Sequence, residues 1–252
     1  MSTISRSRKD SDGHLRAFVD QTTDETMARF QPAQVDEDFI GAGHAAIPAA
    51  GSPAVGYPWV KKTVQTGGTP TVVIVANSAG GIVALALDAT SEKQEASLYC
   101  NDQLNWDVTK GLGFESRLGF SVLPSAAAVE MVFGLQSAWI DGPDNASFYV
   151  RFQALASGVI NMQTKDGVNT IASSTGITLV AAAFHVFRID ASDVTNVLFF
   201  IDGIRLSPNN KFNFAATGSS AVLQPYFSVY KASGVGVGTM QVDTIQVSTD
   251  RV

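Results

Sequence analysis

Cysteine is all but missing from this chain of 252 residues. Cys100 stands alone, which excludes an internal disulfide framework and any multi-cysteine zinc site. In an alternating segment it reads as a small buried apolar residue. Charge is scarce too: 16% of the residues are charged, against roughly 25% in an average globular domain. The formal net charge of −6 argues against nucleic acid as a partner. The three histidines, His14, His44 and His185, lie far apart, without the i, i+2 or i, i+4 spacing of a metal pair. No metal or other cofactor is expected. No apolar run approaches the roughly 18 residues of a membrane span; the densest, 197–201, has the length of a strand. The leading residues are polar and basic rather than apolar, so export is not expected and synthesis in a host cytoplasm is.

Catalytic signatures are missing as well. Thr217-Gly218-Ser219-Ser220 and Ala232-Ser233-Gly234 fall short of the Gly-x-Ser-x-Gly nucleophile elbow. Lys110-Gly111-Leu112-Gly113 has neither the glycine spacing nor the following helix of a phosphate loop. Glycoside hydrolysis needs two carboxylates a few ångströms apart. The candidate pairs, Asp36 with Asp38, Asp190 with Asp193 and Glu92 with Glu95, read as solvated loop or arm charges. No repeat of 20 to 50 residues argues for a propeller or solenoid.

What the chain does have is alternation. Glu115 and Arg117 sit between Phe114, Leu118 and Phe120; Tyr149 and Arg151 sit between Phe148, Val150 and Phe152. Val129, Met131, Phe133 and Leu135 share one parity while Glu130 and Gln136 take the other. A period of two puts one face on a core and the other against water or a partner. A dozen such segments from about residue 71 onward, joined by Gly, Pro, Asn and Asp turns, predict an all-β fold: a two-sheet antiparallel jelly-roll sandwich over 59–252. The segment 195–201, apolar at both parities through Val197, Phe199 and Ile201 and through Leu198 and Phe200, should be central and covered on both sides, and Asp202-Gly203 after it is a hairpin turn. In the last strand Met240 and Val242 have opposite parity to Ile245 and Val247, so a β-bulge is expected near Asp243–Thr244.

Residues 1–58 read as an extended N-terminal arm. Arg6, Arg8 and Lys9 form a basic cluster, a short helix is possible over 23–30, Asp36, Glu37 and Asp38 form an acidic triplet, and 41–57 is rich in Gly, Ala and Pro. An arm without a core is expected to take its shape from a partner's surface. Among exposed aromatics, Trp106 and Trp139 could stack on sugar rings, and Tyr226 and Tyr230 share a strand face. Asp102, Asp107, Asp141, Asp144 and Asn145 could ligate calcium, but no spacing fixes a site.

The strands from Gly80 to Val247 resemble the concanavalin A-like (laminin G-like) jelly roll of tailed-phage structural proteins. The residues carrying this are Gly80-Gly81-Ile82-Val83-Ala84-Leu85 then Gln94-Glu95-Ala96-Ser97-Leu98-Tyr99, Phe114-Glu115-Ser116-Arg117-Leu118 leading to Val132-Phe133-Gly134-Leu135, and His185-Val186-Phe187-Arg188-Ile189 before Val197-Leu198-Phe199-Phe200-Ile201-Asp202-Gly203. The fold also hosts lectins and family-16-like glucanases, but the glucanase motif Glu-x-Asp-x-x-Glu is missing. The resemblance implies a non-enzymatic virion protein on the capsid surface: a decoration or cement protein, a homo-oligomer (trimer), with the major capsid (coat) protein as partner. Arg6, Arg8, Lys9, Phe30, Phe39 and Ile47 would be its coat contacts. The alternatives are a carbohydrate-binding module of a phage tail or fibre, holding a surface glycan through Trp106 or Trp139, and a glycan hydrolase or lyase. No nucleic acid or membrane partner is implied.

Overall fold

The computed structural model describes residues 4–9, 15–20, 26–27, 33–40, 46–54, 58–78, 80–206 and 211–250. Strands β1 (Ile4–Lys9), β2 (Leu15–Asp20) and β3 (Thr26–Met27) pair as a small antiparallel sheet. Arg6, Arg8 and Lys9 lie on β1. Phe30 lies outside the described residues, as does the rest of the expected helix apart from β3.

Two eight-stranded sheets build the sandwich. The first runs β17 (Ile204–Arg205), β16 (Leu198–Ile201), β15 (Phe184–Ala191), β10 (Leu112–Val122), β19 (Thr239–Thr249), β7 (Val83–Ala86), β6 (Thr71–Ile74), with β4 (Ala33–Glu37) also on β19. The second runs β14 (Thr170–Thr178), β13 (Val159–Asp166), β12 (Phe148–Ala154), β11 (Val129–Gln136), β18 (Val222–Lys231), β8 (Gln94–Tyr99), β5 (Val60–Gln65), with β9 (Trp106–Asp107) on β18. All named strand pairs are antiparallel, as the alternation implies. The inward parities interlock as aromatic rings. Phe133 of the second sheet stacks on its neighbour Phe152 at 5.4 Å and meets Phe187 of the first edge-on at 4.7 Å, while Phe152 meets Phe199 at 5.2 Å. Edge-to-face pairs add about 1 kcal/mol each beyond the area they bury.

Two local expectations hold in detail. Along β10 the register passes from Arg117↔Thr244 to Leu118↔Val242, so Asp243 is the extra residue of a bulge. Its carboxylate pairs with Arg117. Asp202 and Gly203 have φ of 51° and 77°, the left-handed pair of a type I′ hairpin turn between β16 and β17.

Two others need correction. Strand β16 is second from its sheet edge, and its outward Leu198 and Phe200 are half-buried, with the Arg188 guanidinium 5.1 Å from the Phe200 ring. Phe39 and Ile47, taken as coat contacts, are 2% and 3% exposed in this chain's own core, because β4 extends the first sheet and carries the chain inward. Phe39 packs on Trp59 at 6.1 Å, and the Trp59 indole donates to Glu37 Oε2 at 3.1 Å. Gly81 permits this path: a Cβ there would lie 2.5 Å from the carbonyl oxygens of Asp38 and Phe39.

Candidate functional site

Because Met131, Phe133 and Leu135 point into the core, Glu130, Val132, Gly134 and Gln136 point out, and the register repeats this across the second sheet. One outward row reads Gln163, Arg151, Gly134, Tyr226, Tyr99, Val60. The next reads Asn161, Gln153, Val132, Ser228, Ser97, Lys62. Beyond it lie Glu130, Tyr230 and Glu95; on the other side lie Lys165, Tyr149, Gln136 and Gln224. The outer face of this sheet is therefore a field of amides, tyrosines, carboxylates and cations. Gly134 lets strands and side chains close up there: its φ is 144°, and a Cβ would meet the Arg151 Cα at 2.8 Å.

Arg151 is 1% exposed and organises the field. Its Nε donates to Gln163 Oε1 at 2.9 Å, and Nη1 donates to Gln136 Oε1 at 3.0 Å and to the Pro143 carbonyl at 2.9 Å. Nη2 pairs with the Asp144 carboxylate, and the guanidinium lies 3.8 Å from the Tyr149 ring centre. A guanidinium only donates, so it fixes the sense of the amides beyond it. Gln163 must turn its Oε1 to Arg151, leaving Nε2 to donate to Gln153 Oε1 at 2.7 Å; Gln153 Nε2 then donates to Glu130 Oε2 at 2.7 Å. A directed chain thus runs from a buried cation to a carboxyl.

Glu130, half-buried at the end of that chain, is pushed up to about 7. Burial is the main cause, reinforced by the negative charge of Asp144 and opposed by the Gln153 hydrogen bond and Arg151. Burial also raises the Tyr149 and Tyr230 hydroxyls. Glu130 is therefore a carboxyl that can hold or release a proton near neutrality, with Tyr230 directly across from it.

A second carboxylate anchors the loop that covers part of this face. Glu95, fully buried, accepts from Ser97 Oγ (2.7 Å), Tyr226 Oη (2.9 Å), Trp139 Nε1 (3.1 Å), the Gly142 amide (3.1 Å) and Ser228 Oγ (3.2 Å). Trp139 and Gly142 belong to the connection 137–147 between β11 and β12. Asp102 Oδ1 accepts from the Trp139 amide at 2.6 Å, and Lys93 pairs with Asp141 at 2.6 Å. Trp139 packs on the outward cluster of Val60, Tyr99, Val132 and Tyr226, with Lys62 Nζ 3.1 Å from its ring centre.

The two tryptophans singled out from sequence are not brought together. Trp139 lies on the polar face; Trp106, 7% exposed, lines an apolar cavity of ≈ 150 Å³ with Val35, Pro58, Trp59, Cys100 and Pro225. Burial pushes the Cys100 thiol up to about 12. His185, by contrast, pairs with Asp202 at 2.7 Å on the other sheet. Among the described residues no three His, Cys, Asp or Glu side chains converge as metal ligands, and no helix is long and apolar enough to cross a membrane. Sequence reasoning missed Glu130, Asp144, Arg151, Gln153 and Gln163 as a group. The available signal was the run of amides and ions at outward parity on β11, β12 and β13.

No protein-family model matches the chain, and no curated protein matches it in sequence. Solved structures do share its fold. A β-1,3-glucanase from Mycobacterium marinum superposes with a TM-score of 0.53 at 13% identity, covering 84% of this chain and 97% of that one. An endo-β-1,4-glucuronan lyase from the fungus Trichoderma reesei gives 0.53 at 12% identity, over 75% and 90%. A family-16 protein from a mixed-linkage-glucan locus of Bacteroides ovatus gives 0.53 at 10% identity, over 84% and 99%. The sandwich is thus a concanavalin A-like jelly roll, as the resemblance implied. The expectation of a non-enzymatic capsid decoration protein is corrected by the same finding: the neighbours include glucanases and polysaccharide lyases, and nothing in the comparison points to a virion.

Proposed function

We propose that this protein cleaves a glycan chain laid across the outer face of its second sheet, with Glu130 as general acid. The observation that carries the reading is Glu130 itself. It is a half-buried carboxyl pushed up to about 7, held by Gln153 at one end of a directed hydrogen-bond chain, at the rim of a polar sheet face. Fold neighbours that act on glucans and glucuronan support the assignment by analogy only.

Hydrolysis and β-elimination both need a proton delivered to the departing glycosidic oxygen. An acid whose pKa lies near the working pH is suited to that transfer. Glu130 protonated supplies the proton; the chain through Gln153 and Gln163 to Arg151 steadies the carboxylate left behind. In hydrolysis the glycosidic C–O bond breaks, a water adds to the anomeric carbon, and the proton that water loses restores the acid form of Glu130. In elimination the C–O bond breaks as a ring proton passes to solvent water, and a carbon–carbon double bond forms.

Incubation with a panel of neutral and acidic polysaccharides tests this, reading new reducing ends and ultraviolet absorbance together. Reducing ends without absorbance mean hydrolysis; both together mean elimination. Glu130→Gln should lower either signal by roughly 10²-fold or more. No new ends on any polysaccharide, or full activity in Glu130→Gln, would refute the proposal.

A further inference from the structure

The loop 137–147 meets Arg151 in the way a ligand would. We infer that Arg151, Gln136, Tyr149 and Lys165 form a subsite for a carboxylate-bearing sugar, held closed in this structure by Asp144 acting as an internal stand-in for that carboxylate. The inference rests on the glycan reading of the face and adds a ligand class to it.

Three observations carry it. First, Arg151 is 1% exposed, whereas the Asp144 side chain paired with it is 58% exposed. A buried guanidinium requires a counter-charge, yet this one comes from a solvent-facing loop and not from the sheet that builds the rest of the network. Second, the two terminal nitrogens are engaged as a bound carboxylate would engage them. Nη1 donates to the Pro143 carbonyl and Nη2 to the Asp144 carboxylate. Together these oxygens satisfy a donor on each nitrogen, the pattern of a two-oxygen acid on a guanidinium fork. Third, Gln136 Nε2 is buried with no hydrogen-bond partner. Its Oε1 is committed to Arg151, so an amide donor is left over beside the cation. An orphaned buried donor is costly, and an incoming acid group with further acceptor oxygens would satisfy it.

The surroundings favour the same chemistry. Lys165 Nζ donates to the Asp144 carbonyl at 3.3 Å and lies 5.7 Å from the Tyr149 ring centre, adding a second cation at the loop's edge. Tyr149 provides an apolar floor under the guanidinium. Carboxylate exchange at Arg151 leaves the Gln163–Gln153–Glu130 chain intact, because that chain starts from Nε and not from the terminal nitrogens.

The test is calorimetric binding of glucuronate oligosaccharides, with neutral glucose oligosaccharides of equal length as the second arm, to the full chain and to Asp144→Ala. Asp144→Ala should bind the glucuronate oligosaccharide at least tenfold more tightly than the unaltered protein and show no gain for the neutral one. Adding Arg151→Lys should abolish the gain. Should Asp144→Ala unfold, Asp144→Asn replaces it, with thermal melting read in the presence of each oligosaccharide; only the glucuronate should raise its melting temperature. Equal gains for both sugars would make the loop a steric cover alone and overturn the inference, as would no gain for either. Binding does not require turnover, so a carboxylate gain without cleavage would sink the proposed activity and leave this subsite standing.

Discussion

Replacing Glu130 by Gln should stabilise the protein at high pH and leave it nearly unchanged at low pH. The amide side chain keeps the shape and can still accept from Gln153, but it cannot ionise. In the folded chain Glu130 is pushed from an ordinary 4.5 up to about 7, so between these values the native state binds more proton than the unfolded one. Stability contributed by this group is then fully present below about 4.5 and is lost as pH rises through about 7. At about 1.4 kcal/mol per pH unit, the loss is of order 3 kcal/mol. Urea unfolding of both proteins at about pH 4 and about pH 8 reads it directly. The variant should match the parent within about 0.5 kcal/mol at the low pH and exceed it by up to about 3 kcal/mol at the high pH. A difference that does not change with pH, or a variant less stable at pH 8, would show that Glu130 is not held in its protonated form by the fold.

Further perturbations probe the scaffold. Phe133→Ala, at the centre of contacts with Phe120, Phe152 and Phe187, should cost about 3–5 kcal/mol by guanidinium denaturation; a cost below about 1 kcal/mol would contradict the core described. Gly134→Ala forces a Cβ to 2.7 Å from the Val150 carbonyl oxygen at a φ of 144°. A cost of at least about 2 kcal/mol is expected from thermal unfolding, and an unchanged melting temperature would disprove the close approach. Lys231→Met removes an ammonium that donates to the carbonyls of Asp88, Thr90 and Gly236 at 2.6, 2.8 and 3.0 Å. It should cost roughly 1–3 kcal/mol and speed amide exchange in 88–92 and 236–238; unaltered exchange there would count against that lock.

Much of the fold is legible because strand alternation is a local signal. The inward phenylalanines, the Asp202-Gly203 turn and the bulge at Asp243 all follow from the parity of neighbouring residues. Strand β4 does not: Ala-Gln-Val-Asp-Glu has no strong pattern of its own and becomes a strand through pairing with Ile245–Thr249, far along the chain. Phe39 and Ile47 are misplaced for the same reason: neither the acidic triplet before Phe39 nor the Gly-, Ala- and Pro-rich segment around Ile47 gives a local sign that these large apolar residues reach a core. The site was harder still. Glu130 and Asp144 share neither strand nor face in sequence terms and meet only because the connection 137–147 folds back over the sheet. Acids two or three residues apart, such as Asp36 with Asp38 or Asp190 with Asp193, are the only pairs a local search finds, and Glu130 with Asp144 is not of that kind. Tyr149 and Arg151 were correctly given the outward parity, but that parity alone does not tell a solvated face from an organised one. The difference lies in the amide chain, which needs three adjacent strands in register.

Hydrogen exchange of the backbone amides, with and without a saturating oligosaccharide that the protein binds, locates the glycan most directly. Slowed exchange confined to β8, β11, β12, β13 and β18 and to the loop 137–147 is the expected footprint. Slowed exchange on β15, β16 and β17 of the opposite sheet, with the Glu130 face unchanged, would place the glycan elsewhere and contradict the site.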